Sequence, residues 1–409
     1  MQEFNCPYKL CDYLFKSCSY YNLLLYLSYK IEVSMADLFD YLKWRGDITF
    51  NQVSFNIVDA LMLSNLSYSI FDNLVSGDFK EQKTFEQLAE DFKASPDYEE
   101  RLNIGFLINK KTVDLMFACA ASERFKNVKI CGYRSVYSEE NVEQFAAMTY
   151  LVDDKVIVSY RGTDDTLVGW KEDFNIVWQH PIPAQKDAIE YLNDCAAKMD
   201  GKLVLIGHSK GGNLVVNTGA CCSKNIQDRI EALYNFDGPG FSEEFFLSDE
   251  YKAIESRLIS VYPEFSIVGM IFRHPADYIV TKSDGFAVMQ HDGMTWQIMG
   301  SGMDKAEDFK DESKFFYKAF NNWVDNLSPE QTQHFVTALW DVIEASEVKT
   351  NTELQENALA CVAKMVVKMS SLDKKTKQEV REILGLLKTA VRNDSPFARL
   401  LAISKQETK

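Results

Sequence analysis

The feature that most constrains the fold of this chain is one predicted turn. It is the segment Gly207-His208-Ser209-Lys210-Gly211-Gly212. A continuous apolar run at 203–206 precedes it and predicts a strand buried on both faces. The stretch 213–220 that follows is apolar, rich in small residues and long enough for a helix. Strand, Gly-x-Ser-x-Gly and helix in this order predict a sharp turn that lifts Ser209 clear of a sheet, with Gly207 and Gly211 allowing helix and strand to pass closely. The first helical N–H groups then face the same space as the serine.

Composition narrows the class of protein. The chain has 409 residues, 46% of them hydrophobic, which is ample for a packed core and favours a main domain with additions. Its formal net charge of -16 argues against nucleic acid and anionic membranes as partners. Nine cysteines without metal spacing favour reduced thiols, and we expect a cytoplasmic protein. No apolar run approaches the ~18 residues that a membrane span needs.

The chain divides into four predicted regions. Residues 1–34 differ in composition from the rest, and we interpret them as an extension preceding a native start at Met35. Residues 35–125 predict a helical lead-in or cap, 126–302 an α/β core, and 303–409 a helical C-terminal region. Strand, helix, strand in succession indicates an α/β sheet with right-handed crossovers.

The residue patterns predict individual helices and strands along the chain. We expect helices at 97–110 and 242–254, and four C-terminal helices, including one at 351–369 and one at 373–391. We expect strands at 132–137, 145–152, 155–160, 232–236, 257–262 and 295–299. Residues 278–282 and 287–289 predict a hairpin, with Asp284-Gly285 in its loop.

Three stretches together resemble the fungal-type class 3 lipases of the α/β-hydrolase superfamily. They are the segment 159–163 (Ser-Tyr-Arg-Gly-Thr) followed by Trp170 and Asp173, the turn at 207–212, and the segment 235–241 (Asn-Phe-Asp-Gly-Pro-Gly-Phe). The likeness is closest to an uncharacterised bacterial branch, whose members open with a segment like 40–47 (Asp-Tyr-Leu-Lys-Trp-Arg-Gly-Asp). It runs from about Met35 to beyond Trp296 and leaves the C-terminal helices unmatched.

The resemblance implies an α/β-hydrolase fold with Ser209 as nucleophile. It also implies an oxyanion hole formed by Thr163, through its N–H and hydroxyl, and by the backbone N–H of Lys210. An ordinary strand-end threonine is the alternative for Thr163. Lys210 stands where such lipases usually carry an apolar residue, which weighs against long apolar acyl chains.

Five histidines are candidates for the base, which in this fold follows the nucleophile in the chain. His180 precedes Ser209, His208 reads as a packed structural residue in the turn, and His334 falls in a C-terminal helix. His274 resembles a non-catalytic lipase histidine, so His291 is favoured over it.

The acid stays open at this point. In these lipases an aspartate occupies the position at which this chain has Ser266. Asp237, which ends the preceding strand, and Glu264, which ends the usual acid strand, are the main replacements, and Asp237 is favoured over Glu264, with Asp277 a further option. Asp237 could also be an ordinary turn residue before Gly-Pro-Gly.

These residues predict a serine hydrolase of lipase or esterase type that cleaves a carboxylic ester through an acyl-enzyme, with Ser209, His291 and Asp237 as the triad. The substrate would be a small-molecule ester or a lipid-like one, with no metal or organic cofactor. Two alternatives are an inactive scaffold that serves as a binding or regulatory module, and an acyltransferase that uses the same site. The sequence leaves the acyl chain, the alcohol and the oligomeric state open.

Overall fold

The computed structural model describes residues 36–105, 108–378, 380–381 and 385. These residues fall, apart from the first, in one compact unit, Asp37–Lys409. The helical regions predicted before and after the core therefore belong to the same unit as the core. The interpretation of residues 1–34 and of Met35 lies outside the described residues, as does most of the helix predicted at 373–391.

An eight-stranded mixed sheet forms the centre, with its strands in chain order from one edge to the other. The first four strands pair antiparallel, and β4 to β8 are parallel. The strands are β1 (Lys83–Thr84), β2 (Lys129–Ser138), β3 (Glu143–Val152), β4 (Lys155–Tyr160), β5 (Lys202–His208), β6 (Ile230–Phe236), β7 (Leu258–Pro263) and β8 (Ile279–Thr281). A separate antiparallel pair consists of β9 (Ile298–Met299) and β10 (Gly302–Met303).

Helices surround this sheet. They are α1 (Leu38–Arg45), α2 (Ile57–Leu66), α3 (Phe85–Ala94), α4 (Tyr98–Arg101), α5 (Lys111–Ala121), α6 (Leu167–Asn175), α7 (Pro183–Lys198), α8 (Lys210–Cys221), α9 (Lys224–Gln227), α10 (Glu243–Leu247), α11 (Asp249–Lys252), α12 (Asp311–Asp325), α13 (Pro329–Glu344), α14 (Asn351–Glu356) and α15 (Ala358–Ser371). Short 3₁₀ helices occur at Glu255–Arg257, Val268–Met270, Ala287–His291 and Gly293–Thr295.

Strand β5 shows how the two faces of the sheet are filled. Val204 and Ile206 join an apolar cluster with α2 and the other N-terminal helices, while Leu203 and Leu205 join a second cluster with α7 and α8. The two-residue period of a strand explains this division, because alternate side chains point to opposite faces. Helices on both faces of a mostly parallel sheet make this an α/β-hydrolase-type fold.

Two elements predicted on either side of His291 differ from the structure. The hairpin is wrong: 279–281 is strand β8, but Ala287–His291 forms a 3₁₀ helix and not a returning strand. The three apolar residues 287–289 are too few to distinguish a strand from a helical turn by periodicity. The indole of Trp296 donates to the carbonyl of Gln290, which ties this turn to the core. The strand expected at 295–299 shortens to Ile298–Met299.

Other helix predictions were too long. The helix at 97–110 is only Tyr98–Arg101, since Gly105 adopts a φ of 96° that a right-handed helix does not allow. The helix at 242–254 splits at Ser248, whose hydroxyl caps the second piece. The helix at 351–369 breaks at Asn357 into α14 and α15.

The C-terminal helices contact the core at the segment that follows β4. The N–H of Leu167 donates to the carbonyl of Lys349, and the N–H of Asn351 donates to the carbonyl of Asp165. Helix α13 also packs on α6, where Lys171 pairs with Glu344 at 2.7 Å. The region that the sequence left without a match is thus attached beside Thr163.

Among the described residues, no helix is both long and apolar enough to cross a bilayer. The six cysteines in the described part of the chain are all free thiols.

Candidate active site

Ser209 occupies the turn between β5 and α8, as the glycine spacing predicts. Its backbone adopts φ 58° and ψ -132°, a conformation that costs a non-glycine residue energy and is held only where the surroundings impose it. Its N–H donates to the carbonyl of Phe236 at 2.9 Å, and its carbonyl accepts from the N–H of Gly212 at 2.8 Å. The strained turn therefore fixes Ser209 at the carboxyl edge of the parallel strands.

The two glycines of the motif are required by close backbone approach. A Cβ on Gly207 would lie 2.3 Å from the carbonyl oxygen of Gly211. A Cβ on Gly211 would lie 2.1 Å from the carbonyl oxygen of Tyr160. Both distances are far inside van der Waals contact, so the expected role of these glycines is confirmed.

His291 and Asp237 are brought together at the same edge. The Nδ1 atom of His291 is 2.6 Å from Oδ2 of Asp237. Asp237 directly follows the last residue of β6 and is fully buried, whereas 26% of the His291 side chain is exposed. A buried carboxylate on Nδ1 holds the imidazole with Nε2 directed away from the acid, the arrangement that a general base requires.

Ser266 supports the same carboxylate. Its hydroxyl donates to the second oxygen of Asp237, Oδ1, at 2.6 Å, and accepts from the N–H of Gly269 at 3.1 Å. The residue that stands at the usual acid position is thus a hydrogen-bond donor to Asp237. Both carboxylate oxygens of Asp237 have a partner, which fixes their orientation.

His208 links the elbow to the loop that carries His291. Its Nε2 donates to the carbonyl of His291 at 2.6 Å, so its Nδ1 accepts from the hydroxyl of Tyr68 at 2.9 Å. Burial, together with the nearby ring of His291, lowers the pKa of His208 to about 3, and the ring is neutral at physiological pH. His208 is a packed structural histidine, as expected, and its partner Tyr68, two residues beyond the end of α2, is one that no sequence pattern indicated.

The ring of His291 lies beside the turn that carries Ser209, without a hydrogen bond to Ser209. The ring centroids of His208 and His291 are 4.7 Å apart, and His208 directly precedes Ser209 in the chain. Within the described part of the chain, the Ser209 hydroxyl has no hydrogen-bond partner. Catalytic hydrogen bonds are often long in the absence of substrate, so contact between Ser209 and His291 stays a prediction.

Thr163 follows the end of β4 and faces the elbow. A Cβ placed on the preceding Gly162 would lie 3.0 Å from the Cβ of Ser209, which shows how closely the two segments approach. The Thr163 hydroxyl donates to Oδ2 of Asp173 at 2.5 Å. Because that hydroxyl has a single proton, the Thr163 donor that is free to face a substrate is its N–H.

The N–H of Lys210 is the second potential donor. It is the first N–H of α8 and has no acceptor within its own helix. Among the residues that the structure describes, neither this N–H nor that of Thr163 has a hydrogen-bond acceptor. The two groups, one on each side of the elbow, could therefore stabilise a developing negative charge.

The carboxyl of Asp173 is electrostatically unusual. Burial raises its pKa to about 6, against the opposing effects of Lys210 and of the hydrogen bond from Thr163. Its second oxygen, Oδ1, is buried and has no hydrogen-bond partner among the described residues. The carboxyl that accepts the Thr163 hydroxyl therefore has a pKa closer to neutral pH than an ordinary aspartate.

The other candidates of the sequence lie in different surroundings. Glu264 pairs with Lys310 at 3.1 Å, and the Nδ1 of His274 bonds to the carbonyl of Pro275 within an aromatic cluster. His334 bonds to Thr376 between C-terminal helices. The described residues contain no cluster of three or more His, Cys, Asp or Glu side chains that could hold a metal ion.

Comparisons with known proteins give one family match and several distant solved structures. The M37 lipase structure covers 53% of this chain and 70% of its own, at 13% identity and a TM-score of 0.32. A Rhizomucor miehei lipase propeptide complex covers 38% of this chain and 57% of its own, at 15% identity and a TM-score of 0.27. A triacylglycerol lipase from Penicillium expansum covers 46% and 76%, at 13% identity and a TM-score of 0.30. No curated protein matches the chain.

The family model described as Mbeg1-like matches residues 119–341, which is more than half of the chain and includes β2 to β8 with Thr163, Ser209, Lys210, Asp237 and His291. The chain therefore belongs to the Mbeg1-like family.

Proposed function

We propose that this protein is a serine hydrolase that cleaves a carboxylic ester. Ser209 is the nucleophile, His291 the base and Asp237 the acid, and the N–H groups of Thr163 and Lys210 form the oxyanion hole. The observation that carries the proposal is the 2.6 Å bond between His291 and the buried Asp237, formed beside a serine on a strained strand-to-helix turn. A structural serine has no need of that backbone conformation or of an oriented imidazole next to it.

The reaction would proceed in two steps. Ser209 Oγ attacks the carbonyl carbon while its proton passes to Nε2 of His291, and the carbonyl oxygen becomes an oxyanion held by the two N–H groups. Collapse expels the alcohol, which takes the proton from His291 and leaves an acyl group on Ser209. Water then repeats the sequence, releasing the acid and restoring the serine. A second alcohol in place of water would give the acyltransferase reaction.

The side chain of Lys210 does not restrict the acyl group. It is fully buried and directed at Glu172 and Gln144, so it does not reach the space in front of Ser209. The charge of Lys210 therefore gives no reason to exclude apolar acyl chains. We propose a small-molecule or lipid-like ester as the substrate class.

The test uses the full chain with p-nitrophenyl acetate, butyrate and octanoate, together with a fluorophosphonate probe. We expect hydrolysis and covalent labelling, both lost in Ser209→Ala, with a fall in kcat of about 10³-fold or more. Ser223→Ala is the matched control, because Ser223 is an exposed serine beyond the far end of α8 whose hydroxyl donates to the side-chain oxygen of Asn225.

Two results would contradict the proposal. A wild-type protein that neither hydrolyses the esters nor reacts with the probe would favour the inactive-scaffold alternative. Labelling that survives in Ser209→Ala would place the nucleophile elsewhere.

A further inference from the structure

A buried ion pair lies directly behind the proposed oxyanion hole. The side chains of Lys210 and Glu172 are both fully inaccessible to solvent, and Lys210 Nζ is 2.7 Å from Glu172 Oε2. The same ammonium donates to the carbonyl of Gln144 at 2.6 Å and to the Gln144 side-chain oxygen at 2.9 Å. An ammonium has three N–H donors, so each proton of Lys210 has an assigned acceptor.

Both oxygens of the Glu172 carboxylate also accept hydrogen bonds. Its Oε1 accepts from the N–H of Ala184 at 2.8 Å, and its Oε2 accepts from the N–H of Gln144 at 3.1 Å in addition to Lys210. These bonds reach β3, through Gln144, and the start of α7, through Ala184. The pair therefore joins α6, which carries Glu172, to α8 and to two further elements.

Helix α6 also holds the other side of the oxyanion hole. Asp173, the residue next to Glu172, accepts the hydroxyl of Thr163 at 2.5 Å. A Cβ on Gly169 of the same helix would lie 2.9 Å from Cγ2 of Thr163, so the helix and the threonine are in close contact. A continuous path thus runs from the backbone of Lys210, through its own side chain, Glu172 and Asp173, to Thr163.

Burying the ion pair of Lys210 and Glu172 has a desolvation cost that an apolar pair filling the same space would not have. Taking two charges out of water costs several kcal/mol, and apolar residues of similar volume often replace such a pair without loss of stability. Directional bonds supply what apolar packing lacks, because each one fixes the orientation of two elements. Helix α6 holds Thr163 by the hydrogen bond to Asp173, so the orientation of this helix affects the position of a proposed oxyanion donor.

We propose that Lys210 and Glu172 are positioning residues whose ion pair sets the spacing between the two oxyanion donors, the N–H groups of Thr163 and Lys210. This inference rests on the proposed function, since the spacing matters only if an oxyanion forms there. It assigns two roles to Lys210: its backbone donates to the oxyanion, and its side chain places the opposite donor.

The test variant is the double substitution Lys210→Met and Glu172→Gln, which removes both charges and leaves the backbone donors in place. Kinetics with p-nitrophenyl butyrate, fluorophosphonate labelling rate and melting temperature are measured on the full chain. We expect a melting temperature within a few degrees of wild type, a fall in kcat of about 10²-fold and a KM within about threefold. Rates are expressed per folded molecule, because a loss of folded protein lowers the apparent kcat without changing KM. A fall in kcat at unchanged melting temperature and KM then excludes both unfolding and a loss of substrate affinity.

A second buried ion pair provides the matched control. Arg124 and Asp59 are as inaccessible as the first pair, and Arg124 also bonds to the carbonyls of Ile48 and Val53 in the N-terminal helical region. The double substitution Arg124→Met and Asp59→Asn removes an equally buried ion pair, so it should change the melting temperature at least as much as the test variant does and leave kcat per folded molecule within about threefold. If the test variant fails to fold, Glu172→Gln alone serves in its place, with an expected fall in kcat of about tenfold.

The outcomes separate this inference from the proposed function. A wild-type protein without esterase activity or labelling overturns both. An active wild type with kcat unchanged in the test variant overturns the positioning role alone. An equal loss of kcat in the control pair also overturns it, because the effect would then be general destabilisation.

Discussion

Removing the charge of Asp237 while keeping its shape tests the proposed base and acid together. Asp237→Asn preserves the volume of a fully buried side chain and a polar partner for Ser266. What it removes is the carboxylate 2.6 Å from Nδ1 of His291. We therefore expect a melting temperature within a few degrees of wild type and a large fall in kcat.

The size of that fall follows from electrostatics. When His291 accepts the serine proton, its positive charge lies about 4 Å from the centre of the carboxylate charge, and at an effective dielectric constant of about 20 their attraction is about 4 kcal/mol. Each ~1.4 kcal/mol is a factor of ten in rate, which gives about 10³-fold. An amide can also select the wrong imidazole tautomer, and that raises the expected loss to about 10⁴-fold.

Steady-state kinetics with p-nitrophenyl butyrate measure the effect, and Glu264→Gln is the control. Glu264 is the other candidate acid, but it pairs with Lys310 and its side chain is 26% exposed, so its neutralisation should change kcat by less than about threefold. An Asp237→Asn enzyme that retains more than a tenth of wild-type kcat would refute the assignment. A larger loss in Glu264→Gln would transfer the acid role to that residue.

Three further perturbations test the surroundings of the site. Tyr68→Phe leaves Nδ1 of the buried His208 without a partner and should lower the free energy of unfolding by about 1–3 kcal/mol in urea denaturation; no change would contradict the bond between them. Gly211→Ala places a Cβ 2.1 Å from the carbonyl of Tyr160, and a loss of about 4 kcal/mol or more, or failure to fold, is expected; a normal melting temperature would refute that packing. The pKa of Asp173 is raised by burial to about 6, so the folded state holds this proton more tightly than the unfolded state and loses stability as pH rises from about 4 to 7. The Asp173→Asn variant has no carboxyl to titrate and does not lose this stability. Its unfolding free energy minus that of the wild type should therefore increase by at most about 3 kcal/mol between pH 4 and pH 7; a difference independent of pH would contradict the raised pKa.

The sequence was informative where a local pattern has one structural solution. Gly207 and Gly211 flank a serine between an apolar strand and a small-residue helix, and only a tight strand-to-helix turn satisfies that spacing. The continuous apolar run at 203–206 predicts a strand buried on both faces. The structure confirms it, because alternate residues of β5 pack into two different apolar clusters. Elimination among five histidines left His274 and His291, and the resemblance favoured His291, which the structure pairs with Asp237.

Contacts that join distant parts of the chain were beyond such reasoning. Tyr68 meets His208 across 140 residues of sequence, and no periodicity in either segment indicates the other. Glu172 belongs to none of the sequence patterns described above, yet it is the buried partner of Lys210. The 3₁₀ turn at Ala287–His291 was mistaken for a strand, since its three apolar residues fit both periods and its shape depends on Trp296.

Trapping the acyl-enzyme tests the central claim most directly. The full chain is mixed with p-nitrophenyl butyrate, quenched with acid within milliseconds to seconds, digested and analysed by mass spectrometry. The account predicts a butyryl group on the peptide that contains Ser209, formed with the burst of p-nitrophenol and lost as turnover ends. Ester hydrolysis without any acyl group on that peptide, or an acyl group on a different residue, would contradict it.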